Sequence, residues 1–160
     1  MKKLLRIIFI ITIILILSGC SKYEYKKISR ESLDITNSLI IDKIDMNSEY
    51  SISSIDNDVN GIVMFEEYGR PNINDSNVII GAHSGYGPNA RFNRIKELEK
   101  NDIIKLYYDN NEYKYEVDDV LEVDDTNVEI LDKTDDNTLI LLTCKIEDNS
   151  KRIIVKAYLI

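Results

Sequence analysis

The stretch Thr138 to Cys144, TLILLTC, constrains this chain more than any other. It is an almost unbroken apolar or β-branched run, and a run of that length and type reads as a strand buried on both faces. Cys144 closes it, and the polar segment KIEDNSK follows, then a second apolar run, RIIVKAYLI. Two such runs across a polar loop predict an antiparallel hairpin. That hairpin sets Cys144, at the end of one strand, and Arg152, at the start of the next, on the same rim. The only histidine, His83, stands directly after another apolar run, NVIIGA. A thiol, an imidazole and a guanidinium can therefore meet at one end of a β-domain.

Short strand-like runs fill the rest of the body. LIIDKI (39–44), SEYSIS (48–53) and GIVMF (61–65) precede NVIIGA (77–82), separated by turn-rich stretches such as IDNDVN and EYGRPNINDS. After His83, SGYGPNA is a Gly-rich, solvent-facing loop. Asn89 is placed to cap a short helix whose Phe92, Ile95 and Leu98 fall on one face. Asp102 to Tyr108 and Glu112 to Val117 form a hairpin across DNN, with Tyr113, Tyr115 and Val117 alternating with charged residues. Those tyrosines read as core wall rather than ligand stackers. VLEV continues the sheet, and residues 124–137 form a polar loop carrying Val128, Ile130 and Leu131. Seven or eight short strands with one or two short helices predict a mainly β, closed barrel rather than a βαβ fold.

GAHSG around His83, LILLTC ending on Cys144 and an arginine opening the final strand together resemble the sortases, cysteine transpeptidases that join proteins to the bacterial cell wall. The likeness runs from LIIDKI to the last strand. It implies an eight-stranded barrel of a class without a long helical insertion before the cysteine strand. Two departures stand out: Asp42 and the Thr126–Asn127 region occupy places where proline is usual in such relatives.

The resemblance also assigns roles. Cys144 is the nucleophile, and only its thiolate is reactive. His83 serves as general acid, then general base. Arg152 holds substrate and stabilises an oxyanion, being permanently charged with several donors. Thr143 and Ala82, beside the cysteine and the histidine, are candidate substrate-binding positions. The implied reaction cleaves a Leu-Pro-any-Thr-Gly-like sorting signal through a thioester and passes the acyl group to a peptidoglycan-precursor or pilin amine. No metal or organic cofactor is required. Calcium stimulates some sortases through loop carboxylates, and Asp124, Asp125 and Glu129 lie in a comparable loop, although acidic loops are as a rule only solvated.

The first twenty residues stand apart. MKKLLR is basic, Ile7 to Leu17 is apolar apart from Thr12, and LSGC follows, which describes an export signal. The apolar run falls short of the roughly 20 residues of a membrane span. Two readings remain open: a lipoprotein signal with Cys20 lipidated, or an uncleaved signal-anchor. Either puts the body on the outer face of the cytoplasmic membrane, with residues 21–37 as a polar tether and 38–160 as one domain. Cys20 and Cys144 are the only cysteines, so with Cys20 lipidated Cys144 is a free thiol in an exported protein.

The net charge of −8 excludes a phosphate-backbone partner, which needs clustered Lys and Arg. Two other classes remain open: a cysteine peptidase that hydrolyses with the same three residues, and a non-catalytic surface lipoprotein with a β-barrel binding fold.

Overall fold

The computed structural model describes residues 37–132 and 136–160. The expected signal, Cys20 and all but the last residue of the tether lie outside them. Nine strands form one sheet: β1 (Asn37–Ile41), β2 (Met46–Glu49), β3 (Ser51–Ser53), β4 (Ile62–Phe65), β5 (Asn77–Ala82), β6 (Ile103–Tyr108), β7 (Asn111–Asp124), β8 (Thr138–Lys145) and β9 (Asp148–Leu159). Their order across the sheet is β2-β1-β6-β7-β9-β8-β5-β4-β3.

The two outermost strands, β2 and β3, are consecutive in sequence and separated by Tyr50 alone. The sheet therefore curls until its two edges meet at one residue. Tyr50 fixes that seam: its amide donates to Asn37 O at 3.1 Å and its hydroxyl to Tyr107 O at 2.8 Å. Nine strands replace the expected eight because SEYSIS, read as one strand, breaks at Tyr50.

β5 and β8 lie side by side and parallel, from Asn77↔Thr138 to Gly81↔Leu142. Both are buried on both faces, as TLILLTC predicts. Val78, Ile80, Leu139 and Leu141 point into the barrel, while Ile79 and Ile140 join Val63, Phe65 and Ile154 in a second apolar layer outside it. Ile130 and Leu131, in the loop after β7, cover that outer layer. Tyr115 and Val117 are interior wall and Tyr113 packs against it, as their alternation predicts. Asp109 and Asn110 both take left-handed backbone (φ 50° and 60°) between β6 and β7, the geometry of a two-residue turn that matches strand twist.

Three sequence expectations need correction. LIIDKI is not one strand: β1 ends at Ile41, and Asp42–Ile44 form a 3-10 turn closed by Asp45 in the left-handed region (φ 53°). Asp42 there pairs with Lys105 at 2.7 Å. The Asn89-capped helix is a single 3-10 turn, Ile95–Glu97, with Arg94 at its cap, although Phe92, Ile95 and Leu98 are buried as expected. The β8–β9 loop is not seven residues, because pairing continues past Cys144 to Lys145↔Asp148 and leaves only Ile146 and Glu147 to turn. Lys145 reaches Glu122 at 2.9 Å and Lys151 reaches Asp124 at 2.6 Å, so polar cross-strand pairs carry the strands beyond the apolar core.

Tyr50 and Tyr115 are almost fully buried, and burial is the largest cause raising both phenols above their ordinary value. A raised folded value means that stability is intact below about pH 10 and declines as pH climbs beyond it, where unfolded tyrosines ionise and folded ones resist. Tyr50→Phe should cost about 1 kcal/mol at neutral pH through the lost hydroxyl bond, and should soften the alkaline decline. Urea unfolding at about pH 7 and about pH 11 tests both, and an unchanged alkaline slope would refute the assignment to Tyr50.

Candidate active site

Side chains alternate across a strand, and that parity builds the site. On β8, Leu139 and Leu141 face inward and Ile140 and Leu142 outward, so Cys144 is outward. On β9, Ile153 and Val155 face inward and Ile154 outward, which makes Arg152 outward. On β5, Val78, Ile80 and Ala82 face inward, and the next outward position after Gly81 is His83. All three therefore emerge on the outer face at the same end of adjacent strands. Register completes the alignment, since Cys144 and Arg152 are direct antiparallel partners.

The β5–β8 ladder ends at Gly81↔Leu142, two residues short of His83. Two side-chain bonds carry the alignment further. Thr143 Oγ1 donates to Ala82 O at 2.7 Å, and Ser84 Oγ donates to Cys144 O. His83 is thus bracketed by two residues, one tied to Thr143 and the other to Cys144 itself. On its other side, His83 O accepts from the amides of Arg91 (2.9 Å) and Phe92 (3.1 Å). The Gly-rich loop between them is clamped at its base, where Gly85 and Asn93 exchange two hydrogen bonds, while Tyr86 at its tip is fully exposed.

A groove of about 150 Å³ opens over these residues, with Val59, Phe65 and Leu142 supplying apolar wall and His83, Cys144 and Arg152 the polar groups. Gly81 makes room for the Phe65 part of that wall: a Cβ there would lie 2.7 Å from Phe65 Cζ. Thr143 and Ala82 also line the groove. The Thr143 hydroxyl is buried and committed to the Ala82 carbonyl, so this pair's evident role is to align the strand ends.

Arg152 sits where three residues of β9, Asn149 to Lys151, have no partner on β8. Such bulges re-aim side chains beside active sites. Its Nη1 donates to Asn149 O (2.7 Å) and Lys151 O (3.1 Å), and its Nη2 lies 3.7 Å from Asp125 Oδ2. Asp125, one of the loop carboxylates weighed for calcium, thus faces the guanidinium, and Asp124 is paired with Lys151. Among the described residues no cluster of three or more His, Cys, Asp or Glu converges. Sequence reasoning missed Ser84, Asp125 in this role, and the Val59–Phe65 wall. Ser84 was within reach as the residue following His83, but the others depend on which loops cross the outer face.

A curled β-barrel with a thiol, an imidazole and a guanidinium on one rim defines a cysteine-centred site. The family model described as the Sortase domain matches residues 34–160, and the chain belongs to the sortase family. The Sortase A of Bacillus anthracis is 34% identical over 85 residues, which is 52% of this chain and 40% of that protein's length. A Sortase D5 transpeptidase from Clostridium perfringens superposes with a TM-score of 0.69 at 27% identity, covering 78% of each chain. A lid mutant of Sortase A from Corynebacterium diphtheriae gives a TM-score of 0.71 at 22% identity, covering 79% of this chain and 70% of that one, a likeness of fold.

Removing the Thr143 hydroxyl leaves the buried Ala82 carbonyl without its donor. Thr143→Val should therefore destabilise by about 1–3 kcal/mol, with Thr143→Ser near wild type. Chemical denaturation of the three proteins checks this, and an unaffected Thr143→Val would remove the bond from any aligning role.

Proposed function

We propose that the chain is a sortase-type cysteine transpeptidase acting on a Leu-Pro-any-Thr-Gly-like sorting signal. The carrying observation is the juxtaposition of His83, Cys144 and Arg152 around one partly apolar groove. Cys144 Sγ, as thiolate, attacks the threonine carbonyl carbon. A C–S bond forms and the C–N bond to glycine breaks, and the departing amine takes a proton from the His83 imidazolium. An acceptor amine then attacks the thioester. The new C–N bond forms, the C–S bond breaks to return the thiolate, and the amine's proton passes to His83. Arg152 stabilises the oxyanion in both halves. No metal or organic cofactor enters these steps. Partners would be surface proteins bearing the signal and a peptidoglycan-precursor or pilin amine.

Cys144→Ala should abolish thioester formation and thiol labelling while remaining folded. Arg152→Ala and Arg152→Lys should each cut turnover at least about 10²-fold with little change in Tm, because lysine lacks the planar fork. Mass spectrometry with candidate sorting peptides, with and without amines, reads the covalent intermediate and its fate. Cleavage retained in Cys144→Ala would overturn the proposal, and hydrolysis indifferent to amines would make the chain a peptidase.

We further propose that the N-terminus tethers the domain to the outer face of the cytoplasmic membrane through a lipid on Cys20, on the strength of LSGC after a short apolar run. Fatty-acid labelling should mark the wild type and not Cys20→Ala. A membrane-bound chain that retains residues 1–19 would instead be a signal-anchored one.

A further inference from the structure

Among the described residues, Arg91 is the one lysine or arginine whose side chain has no ion pair, hydrogen bond or ring contact. Lys43, Arg94, Lys96, Lys100, Lys105, Lys114, Lys145, Lys151 and Arg152 all pair with carboxylates. Arg70 bonds Gly69 O, and Lys156 lies over Tyr158. In a chain with 28 acidic residues against 20 basic ones, a guanidinium left over is notable for its place. Arg91 lines a cleft of about 460 Å³ with Ser48, Glu49, Ser51, Asn60 and Gly61. Glu49, likewise exposed, has no side-chain partner either. The lining of this cleft therefore offers a free cation and a free anion together with hydroxyl and amide groups.

The cleft adjoins the catalytic groove. Val59 lines the groove, and the next two residues, Asn60 and Gly61, line the cleft, so one short segment separates them. Ile62, also in the cleft, pairs with Ala82, and the Arg91 amide is bonded to His83 O at 2.9 Å. The backbone that carries this guanidinium is thus tied to the residue that exchanges protons with the acceptor.

We infer that this cleft receives the acceptor, and that Arg91 selects acceptors carrying a carboxylate on the residue that bears the attacking amine, with Glu49 attracting the ammonium end before transfer. The inference rests on the transpeptidase reading and names the chemistry of its second substrate. Guanidinium and carboxylate match in a planar, two-point geometry that lysine does not reproduce. A carboxylate-bearing amine would be held across the shared wall with its chain free to reach the Cys144 thioester. Water needs no such anchor, so hydrolysis should ignore Arg91.

Nα-acetyl-lysine and N-acetylcadaverine, which differ only by that carboxylate, are the probes. In NMR titrations of the full chain in detergent, Nα-acetyl-lysine should bind about tenfold more tightly, and Arg91→Ala should erase the difference while Arg91→Lys restores part of it. In transfer assays, Arg91→Ala should raise KM for Nα-acetyl-lysine about tenfold, leaving KM for N-acetylcadaverine, thioester formation and hydrolysis unchanged. Equal binding of the two probes, or discrimination that survives Arg91→Ala, would overturn the inference. A binding preference that depends on Arg91 in a chain that forms no thioester would instead sink the transpeptidase reading and leave the cleft's ligand class standing.

Discussion

The parallel pairing of β5 with β8 is the constraint on which the rest depends. It joins residues about sixty apart in sequence and, being covered on both faces, needs an apolar layer inside the barrel and another outside it. The inner layer requires the sheet to curl. The outer layer requires loops to lie across it, through Val59, Ile130 and Leu131, and the first of these also supplies wall to the candidate groove. One pairing thus sets the barrel, the groove and the alignment of His83 with Cys144.

Much of this was legible from patterning. NVIIGA matches β5 to the residue, and TLILLTC gave β8 one residue short of its end, because runs buried on both faces leave little freedom in where a strand stops. The DNN turn was readable because Asp and Asn tolerate left-handed backbone. The rim position of His83, Cys144 and Arg152 was legible too, since strand parity and a hairpin fix it without tertiary detail. The break at Tyr50 was not, because it comes from closure of the sheet rather than from local sequence. Nor was the short β8–β9 turn. KIEDNSK looks like a loop by composition, yet Lys145 and Lys151 meet Glu122 and Asp124 on a strand more than twenty residues away. Loop crossings over the outer face left no periodic trace, so Asp125 beside Arg152 and Arg91 beside His83 became visible only in three dimensions.

The surface charge has a similar logic. Most described cations are matched to a carboxylate, largely at exposed positions where each pair is worth little for stability. Their collective effect is to leave few cations free to attract anions, which sharpens the contrast at Arg91 and makes an incoming negative group meet one guanidinium rather than a diffuse basic field.

The place of β9 in the sheet carries a consequence for when the site exists. β9 lies between β7 and β8, although it is the strand that emerges last in the described chain. Without it no strand ladder connects β2-β1-β6-β7 to β8-β5-β4-β3, and the two halves meet only at the Tyr50 seam. Histidine and cysteine belong to one half, and the arginine arrives with the joining strand. Assembly must therefore wait for the far end of the chain, as expected of folds dominated by distant contacts. Until β9 is in place, Cys144 and His83 share one half-sheet with no Arg152 beside them, so the three side chains come together only when the last described strand does.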